Sequence, residues 1–224
     1  MALTIGTKNG VFTAEDFRKR AEGRALPLSS ALALAKSEDT SYGDDDLNPD
    51  LALIPPPEGG LRLAGVLIGV VNREPGATVI LTLRSAHMPT HAGQIAFPGG
   101  RMEARDATII DAALREADEE IGLPAGHVAP VALMDAYRTR TGFRIVPVLA
   151  VVEPGFTLQP QEREVADVFE VPLEFLMTVG NHQRHSREWQ GRLRHFYAMP
   201  YGERYIWGAT AGILRAMYER LYAE

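Results

Sequence analysis

Between Gly99 and Leu123 the chain reads GGRMEARDATIIDAALREADEEIGL. No other stretch constrains the fold and chemistry as tightly. Asp106 is a good N-cap, and Ala107 to Ile121 then run without glycine or proline, which predicts a helix. At about 3.6 residues per turn, Ile110, Leu114, Ala117 and Ile121 fall on one stripe that should face a core. Glu116, Glu119 and Glu120, spaced i, i+3, i+4, share a second face. Ala112 and Ala113 lie one turn back on that side and leave room for something bulky. Three like charges so close destabilise a helix unless a cation sits among them. A hard divalent ion such as Mg²⁺ takes oxygen ligands and completes its shell with water and phosphate. The competing reading of the cluster alone is a solvated acidic face.

The flanks separate these readings. Arg115-Glu116-x-x-Glu119-Glu120-x-Gly122, preceded by Gly99-Gly100, resembles the signature of the Nudix hydrolases. The resemblance implies a loop–helix–loop that binds Mg²⁺ or Mn²⁺ and cleaves a pyrophosphate linked to another moiety. It implies Glu116, Glu119 and Glu120 as metal ligands, with the Gly100 carbonyl as a further one. Arg115 would hold the loop through an ion pair, with Glu103 as the candidate partner. The spacing departs from the general pattern in one respect. Eight residues separate Asp106 from Arg115, one more than usual, and capping is the simpler role for Asp106.

Upstream, Leu81 to Gly100 reads LTLRSAHMPTHAGQIAFPGG. This resembles the segment that precedes the Nudix signature in the coenzyme A pyrophosphatase branch, which also carries the longer spacing before Arg-Glu. Leu81, Thr82, Arg84, Ser85, Gly93, Phe97, Pro98, Gly99 and Gly100 match; Pro89 stands where the branch usually has an arginine. Arg84 presents a planar fork suited to phosphate oxygens, with a surface ion pair as the alternative. His91 is a candidate phosphate contact or leaving-group partner, with a plain surface histidine as the alternative. Gly93 suggests close backbone approach or an unusual turn. Phe97 enters the glycine loop and reads as core before it reads as a ligand-stacking ring. Gly99 and Gly100 let the backbone approach metal and phosphate without a Cβ in the way.

Composition bounds the rest. The 224 residues carry 46% hydrophobic content, a net charge of −6 and no cysteine. The length suffices for one domain with an N-terminal extension. Lack of cysteine removes disulfide frameworks and thiol chemistry. The charge argues against general nucleic-acid binding, and no stretch is apolar enough to span a membrane. The N-terminus lacks a basic start and an apolar h-region, so a cytoplasmic protein is expected.

We expect residues 1–60 to form an extension and residues 61–224 the catalytic domain. In the extension, Thr13 to Leu26 reads as a capped, charged helix. Ser37 to Pro57, acidic and then proline-rich, reads as an irregular linker with solvated aspartates. The extension is compatible with a cover over the site, a homodimer contact or a tether. Strands are expected at Ala64–Val71 and Thr78–Leu83, joined by a hairpin at Asn72–Gly76, and at Val128–Ala136, Arg144–Val152 and Val165–Val171. Leu173–Met177 reads as a helical turn, Arg194–Pro200 and Glu203–Ile206 as a strand pair, and Thr210–Tyr222 as a final helix. This order suggests an α/β fold with a mixed β-sheet between helices, matching the α/β/α sandwich the resemblance implies.

Two later segments bear on the site. Thr139-Arg-Thr-Gly-Phe143 sits between two strands where a loop can border a cleft. Glu164 precedes a strand and matches the place where many Nudix enzymes supply a further ligand or general base from outside the signature; Glu162 is its rival. Glu119 or Glu164 is the candidate base. Trp207 reads as packing at the start of the last helix, ahead of stacking on adenine. The expected substrate is coenzyme A or an acyl-CoA. The alternatives are another nucleoside diphosphate-linked compound (ADP-ribose, NADH or a dNTP), or a non-catalytic nucleotide-binding module.

Overall fold

A computed structural model of the protein describes residues 12–37, 39–49, 60–88, 90–189 and 191–224. Pro89, the first eleven residues and most of the proline-rich stretch before Gly60 lie outside the described residues.

Two long strands set the frame. β2 (Arg62–Val71) and β8 (Phe143–Val152) pair in parallel over their whole length, from Arg62↔Phe143 to Val71↔Val152. Both are nearly continuous apolar runs because helices cover the sheet on each side. β3 (Thr78–Arg84) returns antiparallel to β2 through the Asn72–Gly76 turn and pairs with β9 (Val165–Pro172). The short strands β4 (Ile95–Ala96) and β5 (Gly99–Arg101) pair with β3 and β2. β6 (Val128–Leu133) and β7 (Tyr137–Arg138) pair with β8. β1 (Tyr42–Gly43) adds a parallel bridge to β7.

Helices lie on both faces of this mixed sheet. On one face, α3 (Ile109–Ile121) and α2 (Ala31–Lys36) close a core with Leu67, Ile80, Val146 and Val148. On the other, α1 (Ala14–Arg24) and α5 (Ala209–Leu221), with the short α4 (Leu173–Met177), close a second core around Ile68, Val79 and Leu149. Phe17 of α1 is fully buried there. Arg144 Nη1 and Nη2 donate to the carbonyls of Leu34 and Ala35, the last turn of α2, at 2.7 and 3.1 Å. Among the described residues no helix is long and apolar enough to cross a membrane.

The structure changes four sequence expectations here. α3 starts two residues late: its cap is Thr108, in a reciprocal capping box with Asp111, not Asp106. Ala112 and Ala113 are fully buried rather than leaving open room beside the glutamates. Their size lets α3 lie directly on β2, where a Cβ at Gly65 would stand 2.7 Å from the Ile109 carbonyl oxygen. A second antiparallel sheet holds β11 (Arg192–Tyr201) and β12 (Arg204–Trp207), as expected, plus the unforeseen β10 (Gln183–Trp189). The charged alternation of QRHSREW hid a strand with little core-facing surface.

The fourth change concerns the acidic stretch. Two of its aspartates, Asp44 and Asp45, are paired rather than solvated, while Asp39 and Asp46 are exposed as expected. Asp44 accepts from Tyr137 Oη at 3.0 Å, the Arg140 amide at 3.0 Å and Arg194 Nη2 at 2.9 Å. Asp45 pairs with Arg138 and Arg140 at 2.7 and 3.1 Å. Asn48 donates to the His195 carbonyl and accepts from its amide. Residues 42–48 therefore strap the second sheet to the first. Asp44 and the hydrophobic surroundings hold the Tyr137 hydroxyl neutral, its pKa pushed well above the usual phenol value chiefly by burial.

Candidate active site

The site is assembled where the glycine loop meets the last two turns of α3. The Gly99 amide donates to Glu120 Oε2 at 3.0 Å. Gly99 is required by its neighbour β2: a Cβ there would stand 2.4 Å from the Gly65 carbonyl oxygen. Gly100 is required by Glu116, whose carboxyl carbon would be 2.5 Å from a Gly100 Cβ. The glycine pair thus serves close packing of backbone on strand and on carboxylate. At the other end Gly122 (φ 64°) ends the helix in the left-handed conformation, its amide donating back to the Asp118 carbonyl at 2.8 Å.

The three helix glutamates sit in unequal environments. Glu120 is 5% exposed. Burial pushes its pKa up to about 7, the Gly99 amide and Arg84 oppose the rise, and the charges of Glu116 and Glu164 add to it. Glu116 is half-buried and also raised, first by burial and then by Glu119 and Glu164, against the pull of Arg115. Glu119 is open to solvent and paired with Arg105 and Arg115, each at 3.0 Å.

Arg115 is the hub of the loop. Its Nε and Nη2 form a fork on Asp106 at 2.9 and 3.0 Å, and Nη2 also reaches the Arg101 carbonyl. Nη1 bonds Glu116 and Glu119. The expected Glu103 partner is not the one used; Glu103 pairs with Arg105. Asp106, 8% exposed, also accepts from the Glu103 amide at 2.7 Å, and the Arg115 guanidinium holds its carboxyl below the usual aspartate range. The loop between Gly100 and Thr108 folds back so that Asp106 meets the arginine.

Glu164 is brought in from outside the helix. Its carbonyl accepts from the Ser85 amide at 2.8 Å, and the preceding Gln159 and Gln161 amides bond the carbonyls of Ile121 and Glu120. The Arg84-Ser85 pair at the end of β3 thus anchors the Glu164 loop with one residue. The other points a guanidinium at Glu120, with Nη1 3.8 Å from Oε1. Arg84 Nε is buried without a hydrogen-bond partner. Glu162 is exposed.

Arg84 and the glycine loop open onto a cleft of about 880 Å³, and Glu120 and Glu116 adjoin it through Gly99 and Gly100. Arg84, His91, Phe97, Gly99 and Gly100 line it, as do Thr139, Arg140, Thr141 and Phe143 of the loop expected to border the site. His91 is exposed, with φ 58°, and its Nδ1 lies 2.8 Å from Gln94 Oε1. Phe97 is 4% exposed and belongs to the core while edging the cleft. Gly93 (φ 69°) forms a turn with open space around its Cα and lines a separate, smaller cavity; of the two roles expected for it, the turn is the one observed. The sequence reading missed the wall opposite the glycine loop: the strap at Tyr42–Asp44, Arg62 stacked on Phe143 at 4.0 Å, and the Arg187, Arg194 and Trp207 side of the second sheet.

Among the described residues no three carboxylate or imidazole groups are already gathered as a cage. Arg115 ties Glu116 and Glu119 instead. The donor set nevertheless suits a hard divalent cation. Glu116 and Glu120 are desolvated, all oxygen-bearing, and mutually repelled with Glu164, so a cation removes an existing electrostatic penalty.

Fold and site together define an α/β/α sandwich whose centre is a loop–helix–loop bearing acidic side chains. The chain belongs to the Nudix hydrolase family: the NUDIX domain profile matches residues 61–190, well over half its length. It is 37% identical over 185 residues to "Uncharacterized Nudix hydrolase NudL" of Citrobacter koseri, covering 80% of this chain and 95% of that one. To the protein of the same name in Shigella boydii serotype 4 it is 38% identical over 157 residues, 70% of this chain and 81% of that one. Among solved structures it resembles the Nudix hydrolase RenU of M. smegmatis, at 25% identity and TM-score 0.43 over 51% of this chain and 73% of that one. It also resembles a Nudix hydrolase of Alicyclobacillus acidocaldarius, at 15% identity and TM-score 0.47 over 73% and 93%. Hydrolases of this family generally use divalent metal cations.

Proposed function

We propose that the protein hydrolyses the pyrophosphate bond of coenzyme A or its thioesters, releasing 4′-phosphopantetheine (or its acyl form) and adenosine 3′,5′-bisphosphate. The observation that carries this reading is how the LTLRS…FPGG segment is used. Arg84 and Ser85 place a cation and the Glu164 loop against Glu120, while Phe97–Gly100 form the floor of the same cleft. That the segment resembling the coenzyme A branch lies at the proposed site, rather than apart from it, supports this reading.

In this mechanism Glu116 and Glu120, with the Gly100 carbonyl and Glu119, would hold Mg²⁺ or Mn²⁺. When bound, the ion neutralises the phosphate oxygens and lowers the pKa of a coordinated water. Arg84 orients a phosphate through its fork, its buried Nε offering an unused donor. Glu164 takes the proton of the attacking water, its loop fixed at both ends by backbone bonds. Glu119 is the rival base; its exposure and two arginine partners favour Glu164. Arg115 acts on the chemistry by aligning Glu116 and Glu119. His91, on an exposed turn that lines the cleft, contacts a substrate phosphate or polarises the leaving group. The water oxygen bonds to one phosphorus as that atom's bond to the bridging oxygen breaks; the bridging oxygen leaves on the other phosphate, and the proton taken by Glu164 is available to it. A metal-dependent cytoplasmic enzyme is consistent with a sequence that lacks cysteine.

The test is hydrolysis of CoA in Mg²⁺ or Mn²⁺ with products identified by mass spectrometry, beside ADP-ribose, NADH and dNTPs. Glu120→Gln should lower turnover by roughly a hundredfold or more at saturating metal, since it removes a proposed ligand from a desolvated centre. Wild-type turnover in that variant sinks the site assignment. Faster turnover of ADP-ribose or a dNTP than of CoA sinks the substrate.

A further inference from the structure

The second sheet carries an outward face that the mechanism above does not use. On β12 the residues alternate: Ile206 is fully buried, while Tyr205, 40% exposed, and Trp207 point the other way. Ile206 supplies the packing expected of Trp207. The indole instead lines the catalytic cleft and borders the smaller cavity beside Gly93. The Arg187 guanidinium carbon lies 4.7 Å from the Trp207 ring centroid, and Phe196 meets the ring at 5.4 Å and 61°. The strand register explains the grouping. Ala198 pairs with Trp207, His185 with Phe196, and Arg187 with Arg194, which puts ring, ring and two cations on one face.

This face is fixed relative to the glycine loop. Three residues after Trp207, Thr210 Oγ1 donates to the Ile95 carbonyl at 2.8 Å, and Ile95 lies four residues before Gly99. Arg187, Arg194, Phe196, Trp207 and Gly99 all line one cleft. A planar cation held on an indole, next to a second ring and beside a phosphate-handling centre, matches the chemistry that stacks a nucleobase.

We propose that the Arg187–Trp207 pair is the base-stacking subsite for the adenine nucleotide half of the substrate, with the Arg187 guanidinium supplying positive charge beside it. The choice of adenine rests on the coenzyme A reading; the stacking claim rests on the geometry above. Titration calorimetry of the full chain with adenosine 3′,5′-bisphosphate, without added metal, tests it directly. Trp207→Leu should weaken binding about ten- to hundredfold, the range for loss of one base–aromatic stack. Trp207→Phe should recover most of it. Arg187→Gln, at an exposed position that leaves the fold unstrained, should weaken binding several-fold. 4′-Phosphopantetheine serves as the control ligand, whose affinity should be the same in all four proteins. Equal affinity for adenosine 3′,5′-bisphosphate in wild type, Trp207→Leu and Arg187→Gln overturns the subsite. If CoA is not hydrolysed but Trp207→Leu still loses nucleotide binding, the coenzyme A reading fails and the subsite stands.

Discussion

Removing the Asp106 carboxylate probes the loop that aligns the helix glutamates. In Asp106→Ala three hydrogen bonds disappear: two from the Arg115 fork, at 2.9 and 3.0 Å, and one from the Glu103 amide, at 2.7 Å. Both side chains are shielded, at 3% and 14% exposure, so water replaces the lost partner poorly. Breaking a buried pair costs about 3–5 kcal/mol. Arg115 keeps Glu116, Glu119 and the Arg101 carbonyl, which lowers the expected loss to about 2–3 kcal/mol. For a chain of this size that is a fall of roughly 5–10 °C in Tm. Urea unfolding at pH 7 reads the free energy and a thermal scan the midpoint. The same pair has a signed pH dependence. Arg115 holds the folded Asp106 pKa below its usual 3.8, so the folded state takes up this proton less readily than the unfolded chain. The stabilisation is complete above about pH 5 and drains away as pH falls through 4 and below. The gap between wild type and Asp106→Asn should therefore shrink on acidification from pH 6 to pH 3.5. A loss under about 0.5 kcal/mol in Asp106→Ala, within the range of ordinary surface substitutions, would refute the reasoning. So would a gap to Asp106→Asn that widens with acid.

Phe17→Ala empties a fully buried position in the core shared by α1 and the sheet, and should cost about 3–4 kcal/mol in urea unfolding. A change near zero would mean that residues 14–24 are a detachable extension. Gly100→Ala drives a Cβ to 2.5 Å from the Glu116 carboxyl carbon, so that carboxylate must move by an ångström or more. Turnover should drop about tenfold to a hundredfold with the Tm within a few degrees of wild type. Unchanged turnover would show that the position of Glu116 does not matter.

Much of the site was legible because its signals are local. The i, i+3, i+4 carboxylates, the Gly122 stop and the alternation of apolar strands each depend on residues within a turn or two of one another. The inequality among the glutamates was not legible. It follows from the rotation of α3 on β2, set by Gly65 and the small Ala112 and Ala113, which sequence periodicity reads as merely permissive. Asp106 was misread for a related reason. A carboxylate just before a helix is a cap on local evidence, and only the path of the 100–108 loop shows that Thr108 caps while Asp106 meets Arg115.

The strap was hidden more deeply. Asp44 bonds Arg194, 150 positions away, and nothing near DDD distinguishes it from a solvated acidic tether. What makes it structural is the chemistry waiting at its destination. Arg138, Arg140 and Arg194 converge beside the cleft, which Arg140 and Arg194 line, and three cations at close quarters repel one another unless carboxylates lie between them. Asp44 and Asp45 supply those carboxylates, and Tyr42 and Gly43 dock their strand on β7 to hold them there. Residues 42–48 lie before the stretch that the family profile matches, yet they complete the wall of the cleft in which the catalytic loop sits. The boundary expected near residue 60 divides the chain by composition. Among the described residues, the ion pairs of Asp44 and Asp45 and the buried Phe17 tie parts of the chain before residue 60 to the sheets that follow.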